Sequence, residues 1–193
     1  MRPESWRGIY EIPYKSTKST RLQSLHFRII NRFIPTRKYL CTRGVVGSPL
    51  CLKCFEIDDF EHFFVVCVDV KMVWENIITQ IRSKFSLPSN FYSFQTLILG
   101  SPAAPTIVNL ILLLTKQYIV NCKLGTDDRL QTPHIACLIE VISREAEAEK
   151  IIAKNKNEVE EYHKKWGPIL DSNGKVVFRA LLGAARRSVS GLG

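Results

Sequence analysis

The segment CLKCFEIDDFEHFFVVC, residues 51–67, holds three cysteines and one histidine within seventeen positions. A Cys-x2-Cys pair lets one tight turn direct two sulfurs at a single point, and the His-x4-Cys pair that follows can reach the same point from a turn or a helix start. Four such ligands form a closed tetrahedral site, which is how proteins hold structural zinc. The segment therefore predicts a zinc site. Its four predicted ligands are Cys51, Cys54, His62 and Cys67.

The ligand types also indicate which ion is bound and what it does. Magnesium and calcium bind oxygen ligands, so three sulfurs argue against both. A catalytic zinc ion normally keeps one coordination position for water, and four protein ligands leave none. The alternative interpretation is a chance cluster of buried cysteines. Four nearby phenylalanines are predicted to form an apolar shell around the ligands, which favours the zinc site over a chance cluster. They are Phe55, Phe60, Phe63 and Phe64. Three further cysteines lie in apolar helical patterns and are predicted to be core residues: Cys41, Cys122 and Cys137.

Positive charge is concentrated in the first quarter of the chain. The formal net charge is +9, and residues 1–47 hold ten Lys or Arg against two acids, which gives +8. Such a concentration is typical of a surface that binds a polyanion, although a basic segment can serve solubility alone. The side chains predicted to contact nucleic-acid phosphates are Arg21, Arg28, Arg32, Arg37, Lys38 and Arg43. Aromatic residues near them could stack on unpaired bases, with packing as the alternative: Trp6, Tyr10, Tyr14 and Tyr39.

The loop between the two ligand pairs is acidic. Its acids are Glu56, Asp58, Asp59 and Glu61. Because these charges repel phosphate, we expect the zinc site to order the elements around it rather than to contact nucleic acid itself.

Catalytic patterns are not found in the sequence. A polymerase palm needs carboxylates that hold two metal ions near the primer end. The pair Asp127-Asp128 follows Gly125 and Thr126 and precedes a predicted helix start, so we interpret it as a solvent-exposed turn. No Ser-His-Asp pattern, P-loop or glycine-rich nucleotide fingerprint occurs either. The chain is predicted not to be an enzyme by itself.

Helical periodicity covers most of the chain. Residues 1–18 contain Pro3, Gly8 and Pro13 and are predicted to be irregular. A helix is predicted from residue 19 or 20 to Phe33, which Pro35 then ends. Its predicted core face consists of Leu22, Leu25, Ile29 and Phe33. Further helices are predicted at about 36–42, from Asp69 to about 85, at 106–122 and at 132–166.

Neither a membrane span nor a secretion signal is predicted. The longest apolar run, at 107–114, is followed at once by Thr115 and Lys116. The first residues contain no apolar signal-peptide core, so we expect an intracellular chain, in the nucleus or the cytoplasm, with reduced thiols. We expect neither a membrane nor a small-molecule substrate as a partner.

The ligand segment and its flanks resemble a known family. The runs HFRIINRFIPTRKYL, SPLCLKCFEIDDFEHFFVVC and VKMVW are similar to the zinc-binding region that follows the reverse transcriptase in LINE-type (non-LTR) retrotransposon polyproteins. The resemblance covers about residues 6–170. It implies the same four zinc ligands and a framework formed by Pro35, Glu61, Phe64 and Trp74. It also implies a region beside the polymerase core that helps to hold template RNA or target DNA during target-primed reverse transcription, without chemistry of its own.

These observations predict a mostly α-helical chain organised around a CCHC zinc knuckle, followed by a buried helix and a long C-terminal helix. Residues 1–85 are predicted to form a basic helical arm with the zinc module, 86–170 a helical C-terminal region, and 171–193 a disordered tail. The predicted function is a non-catalytic, zinc-stabilised module that binds RNA or DNA. The alternatives are a protein-interaction module that docks onto a polymerase or another partner, and an inactive transposon fragment.

Overall fold

The structure, a computed structural model, describes residues 3–125 and 133–178. These ranges contain eight α-helices, and their only β-pairings are the isolated bridges Leu50–Ile57 and Leu170–Val176. The predicted fold class, mostly α, is thus confirmed. The helices are α1 (Pro3–Ser16), α2 (Thr20–Ile30), α3 (Arg37–Thr42), α4 (Val68–Lys84), α5 (Phe94–Leu99), α6 (Thr106–Leu124), α7 (Ile135–Lys156) and α8 (Val159–Trp166).

Helix α6 forms the centre of the molecule. Every side chain from 107 to 117 is buried, and α1, α2, α4, α5, α7 and α8 all pack against it. By length and composition α6 could cross a membrane, yet 78 % of its apolar window is buried inside this fold. That burial is typical of the core helix of a helical bundle, and it agrees with the prediction of a helix enclosed on most sides.

Helix α1 replaces the irregular segment predicted for the N-terminus. Pro13 lies inside it and has no N–H to offer to the carbonyl of Ile9, four residues earlier. His26 of α2 contacts that carbonyl instead, with Nε2 3.1 Å from the oxygen. The carbonyl that proline would leave unpaired is therefore satisfied by a residue seventeen positions away. Gly8 is a packing residue rather than a breaker, because a Cβ there would lie 2.9 Å from Pro102.

Helix α2 ends earlier than predicted. Arg32 adopts a positive φ of 56°, and the N–H of Phe33 returns to the carbonyl of Arg28. The chain reverses before Phe33, so that side chain is 64 % exposed and its predicted place in the core is wrong. The other three predicted core positions of this helix, Leu22, Leu25 and Ile29, are buried.

The long C-terminal helix is divided in two. Asn157 takes the left-handed conformation, φ 57° and ψ 30°, and the N–H groups of Asn157 and Glu158 satisfy carbonyls at the end of α7. Helix α8 then begins at Val159.

The segment after α8 differs from the predicted tail as far as residue 178. Residues 171–176 form a turn in which Asp171 Oδ1 accepts hydrogen bonds from the N–H groups of Asn173 and Lys175. Phe178 is buried in the core. The remainder of the predicted tail, 179–193, and the Asp127-Asp128 turn lie outside the described residues.

Candidate metal centre

The fold brings the four cysteine and histidine side chains of the ligand segment together. One ligand atom from each of Cys51, Cys54, His62 and Cys67 lies within 4.8 Å of every other, and Cys54 Sγ is 3.0 Å from His62 Nε2. Bonds of about 2.0–2.3 Å place the ligands of a tetrahedral ion within about 4 Å of one another. The cluster is therefore compatible with one shared metal ion.

The first two ligands belong to a tight turn. The N–H of Cys51 donates to the carbonyl of Glu56, and the N–H of Phe55 donates to the carbonyl of Cys51. The bridge between Leu50 and Ile57 closes this turn from outside. The tight reversal requires a φ of 62° at Phe55, a strained conformation for a residue other than glycine. Its side chain is 73 % exposed, so its predicted place in the apolar shell is wrong.

The second pair of ligands is joined by a single π-helical turn, His62–Val66. The N–H of Cys67 donates to the carbonyl of His62, a bond over five residues that closes the His-x4-Cys spacing. The carbonyl of Cys67 then accepts from Lys71 in the first turn of α4. One ligand thus also starts a helix, which joins the cluster directly to the fold.

Buried aromatic residues hold this turn against the core. Phe63 and Phe64 are both buried, and their ring centroids lie 5.0 Å apart. Trp74 of α4 donates from Nε1 to the carbonyl of Phe64 at 2.6 Å. This contact joins the π-helical turn to α4.

Asp58 is a residue of the site that the sequence analysis missed. Its Oδ1 lies 2.9 Å from His62 Nδ1, so Nε2 is directed at Cys54 Sγ. The same oxygen accepts from Lys123 Nζ at 3.2 Å, while Oδ2 accepts from the N–H of Arg37. Asp58 is buried, so it is not part of an exposed acidic surface as the loop composition suggested. One feature of the sequence could have pointed to this role of Asp58. It lies four residues before a candidate histidine ligand, and carboxylates near metal-binding histidines commonly orient them.

The surroundings affect the two buried thiols differently. Burial raises the pKa of Cys67 to about 11. Burial acts in the same direction on Cys51, but hydrogen bonds from the N–H groups of Cys54 and Lys53, together with the charge of Lys123 and the Cys54 thiol, outweigh it and lower the pKa of Cys51. Metal ligation requires thiolates, so the N–H groups of the first turn already favour the ionised form of one ligand.

Two of the six predicted phosphate contacts, Arg32 and Lys38, line one surface depression of about 250 Å³, which we call the basic depression. Tyr39 and Phe60 line it as well, together with one acid, Asp59, which pairs with Lys38. The guanidinium of Arg32 lies 5.6 Å from the ring centroid of Phe60, and that of Arg43 lies 5.4 Å from that of Tyr39. The structure thus places Arg32 and Lys38 together with two aromatic rings, and a third predicted contact, Arg43, lies beside one of these rings.

The other three predicted contacts are placed differently. Arg28 is exposed in the last turn of α2. Arg21 donates to Asn121 of α6 at 3.2 Å, and Arg37 is half-buried, with an Nε that has no hydrogen-bond partner in the described part of the chain. Among the cysteines predicted to be core residues, Cys122 is buried, Cys41 is half-buried, and Cys137 is exposed, so the last prediction is wrong.

A comparison with models of known protein families finds none that matches this chain, and a comparison with curated proteins finds no match either.

Proposed function

We propose that the chain is a non-catalytic nucleic-acid-binding module in which a structural zinc ion orders a basic surface. The donor set supports zinc, because three sulfurs and one imidazole in a closed cluster are the ligands of structural zinc sites. A module of this kind is what the resemblance to the region after LINE-type reverse transcriptases implies, inside the cell and beside a polymerase core.

The observation that carries the proposal is the connection between the metal centre and α3. Asp58 orients His62 through one oxygen, and its other oxygen and its carbonyl accept the N–H groups of Arg37 and Lys38. Asp59 accepts the N–H of His62 and pairs with Lys38 Nζ at 3.7 Å. Two adjacent residues therefore hold both a metal ligand and the first turn of the helix that carries the basic depression.

The basic depression has the chemistry of a nucleic-acid contact. Lys and Arg side chains bind phosphates, and aromatic rings stack on unpaired bases. Tyr39 is 48 % exposed, and its position is fixed by Thr36 Oγ1 on its N–H and by Thr42 Oγ1 on its carbonyl. A ring presented by a fixed backbone loses little conformational freedom on binding.

The test is a salt titration of binding to a single-stranded RNA and to a nicked DNA duplex, with the full zinc-loaded chain. We expect log Kd to rise linearly with log salt. The double variant Arg32→Ala/Lys38→Ala is expected to lower the slope for single strands by about 1.4, because each lost phosphate contact removes about 0.7. The matched control, Lys154→Ala/Lys156→Ala, removes two lysines at the end of α7, outside the basic depression. Binding that is no tighter at low salt than at high salt would contradict the proposal.

Asp58→Asn is expected to weaken zinc binding about 10- to 100-fold, because the amide no longer supplies a charged acceptor to His62 and Lys123. The affinity is measured by competition with a chromophoric chelator. Glu56→Gln is the control, since Glu56 is an exposed acid of the same loop. Equal affinities for the two variants would exclude a positioning role for Asp58.

A second candidate function, protein interaction, is favoured by exposed apolar side chains beside the metal centre. They are Leu52, Phe55, Val66, Val68 and Met72. Such residues can form the centre of an interface with a polymerase or another partner. If charge reversal at Arg28 and Arg32 leaves the main binding activity unchanged, this function replaces the nucleic-acid proposal.

A further inference from the structure

A cleft of about 860 Å³ lies between the α1–α2 turn, the start of α6, and helices α7 and α8. None of its lining residues belongs to the metal centre or to the basic depression. Small-molecule sites commonly have volumes of about 300–1,000 Å³, so the cleft has the size of a ligand site.

A polar network that is already satisfied forms one side of this cleft. Both carboxylate oxygens of Glu149 lie 2.7 Å from Lys165 Nζ, and one of them also accepts from Trp166 Nε1 at 2.6 Å. Lys165 donates in addition to the carbonyl of Ser16. These bonds join α7, α8 and the end of α1, and they leave Glu149 and Lys165 with their charges paired.

Two other polar groups of the lining have no hydrogen-bond partner in the described part of the chain. Glu145 lies one turn before Glu149 on α7, and it has no hydrogen bond or ion pair within the described ranges. Burial, reinforced by the charge of Glu149, raises the pKa of the Glu145 carboxyl, and the opposing charge of Lys165, which is bonded to Glu149, offsets this only in part. The hydroxyl of Ser16 is buried and likewise has no hydrogen-bond partner among the described residues.

The charges beside Glu145 favour a cation over an anion. Lys15, Lys18 and Lys165 form ion pairs with Glu11, Glu158 and Glu149 respectively. Glu145 and Glu161 have no ion pair in the part of the chain that is described, and Lys164 is the remaining cation of the lining. The lining as a whole holds four lysines and four glutamates, so its formal charge is zero. Beside Glu145, however, the one ammonium group of Lys165 faces the two carboxylates of Glu145 and Glu149, which leaves a local excess of one negative charge.

Apolar surface lies on the same side of α7 as Glu145. Ala148 and Ile152 follow at helical spacing, and both are exposed. Tyr14 contributes an exposed ring from α1. A ligand that places a cation at Glu145 can thus cover apolar side chains of the same lining.

We infer that this cleft binds a small amphipathic cation, with an ammonium or guanidinium group at Glu145 and an apolar part along Ala148, Ile152 and Tyr14. This site is independent of nucleic-acid binding and goes beyond the proposed function.

The test uses three probes of the same shape and different charge: 2-phenylethylammonium, 2-phenylethanol and phenylacetate. Each is titrated into the full isotope-labelled, zinc-loaded chain and followed by amide chemical shifts. The cation is expected to shift the amides of Glu145, Ala148 and Ile152 and to bind at least about tenfold more tightly than the alcohol. Glu145→Gln is expected to remove this preference, and Glu145→Asp to retain most of it.

Glu147→Gln is the matched control, because Glu147 is an exposed carboxylate of the same helix that does not line the cleft. It is expected to bind the cation as the wild type does. Equal binding of the cation and the alcohol, tighter binding of phenylacetate, or equal effects of the Glu145→Gln and Glu147→Gln changes would overturn the inference. A change of sedimentation coefficient in the Glu145→Gln variant would also overturn it. Such a change would show that Glu145 affects association of the chain, so that a second copy of the protein occupies the cleft.

Discussion

Chelation of the metal ion is expected to remove most amide-exchange protection from residues 44–85 while the central part of α6, 106–122, remains protected. Structural zinc contributes several kcal/mol to folding, and on the order of 10 kcal/mol in small zinc peptides. The two loops of the centre have few backbone hydrogen bonds of their own, and α4 begins at the ligand Cys67. Helix α6 instead packs against six other helices, so it retains contacts that do not involve the metal.

The matching substitution is Cys54→Ser, which removes the half-buried ligand without changing its size greatly. It is expected to lower protection in the same segment and to destabilise the fold by several kcal/mol. Cys137→Ser is the control, because Cys137 is exposed and lies outside the cluster. Exchange is measured by mass spectrometry before and after chelation, and after zinc is restored. Unchanged protection of 44–85 without metal would refute a structural role for the ion.

Lys116→Met is expected to raise the melting temperature at pH 7. Lys116 is completely buried in α6, and burial lowers its pKa from 10.5 to about 7. Because the unfolded chain holds this proton more tightly, the side chain costs the folded state on the order of 4 kcal/mol near pH 7. Methionine fills a similar volume but leaves the carbonyl of Ile98, which Lys116 Nζ contacts at 2.6 Å, without its donor, at a cost of about 1–3 kcal/mol. A net gain of about 2 kcal/mol follows.

The stabilising effect of Lys116→Met is expected to depend on pH. The folded-state pKa of Lys116 lies below the unfolded value, so its contribution to stability is complete above pH 10.5 and is lost as the pH falls to about 7. The difference in stability between Lys116→Met and wild type should therefore shrink as the pH rises through this range. The pKa of His26 is lowered to about 3, chiefly by burial and also by the charge of Lys116. His26 therefore titrates below the range from pH 7 to 10.5 and does not contribute to this trend. Lys154→Met, an exposed substitution on α7, should show no such trend in thermal melts, and a pH-independent difference for Lys116→Met would contradict the assignment.

Local spacing in the sequence predicted the ligand cluster well. The four ligands lie within seventeen positions, so two short turns suffice to bring Cys51 and Cys67 together. The mostly helical fold and the buried α6 were likewise predictable, because apolar periodicity reflects burial directly.

Features that depend on distant partners were not predictable. Pro13 was interpreted as a helix breaker. The contact that compensates for its missing N–H comes from His26 of another helix, and local sequence does not reveal that contact. Asp58 was interpreted as a surface acid. Lys123, one of the partners that allow it to be buried, is sixty-five residues away and could not be assigned to it from the sequence. The break at Asn157 depends on one left-handed residue within a sequence that otherwise continues a helical pattern. Whether the basic residues bind nucleic acid stays a prediction.

The bonds of Lys165 also affect the order in which the chain can fold. Ser16 and Lys165 are separated by 149 positions, so their contact forms only after nearly all the described helices have left the ribosome. Contacts between residues so far apart in sequence are costly to close and tend to form late. The C-terminal end of α1 is therefore secured to α8 only late in synthesis, although α1 can already pack against α2 and α6 before then.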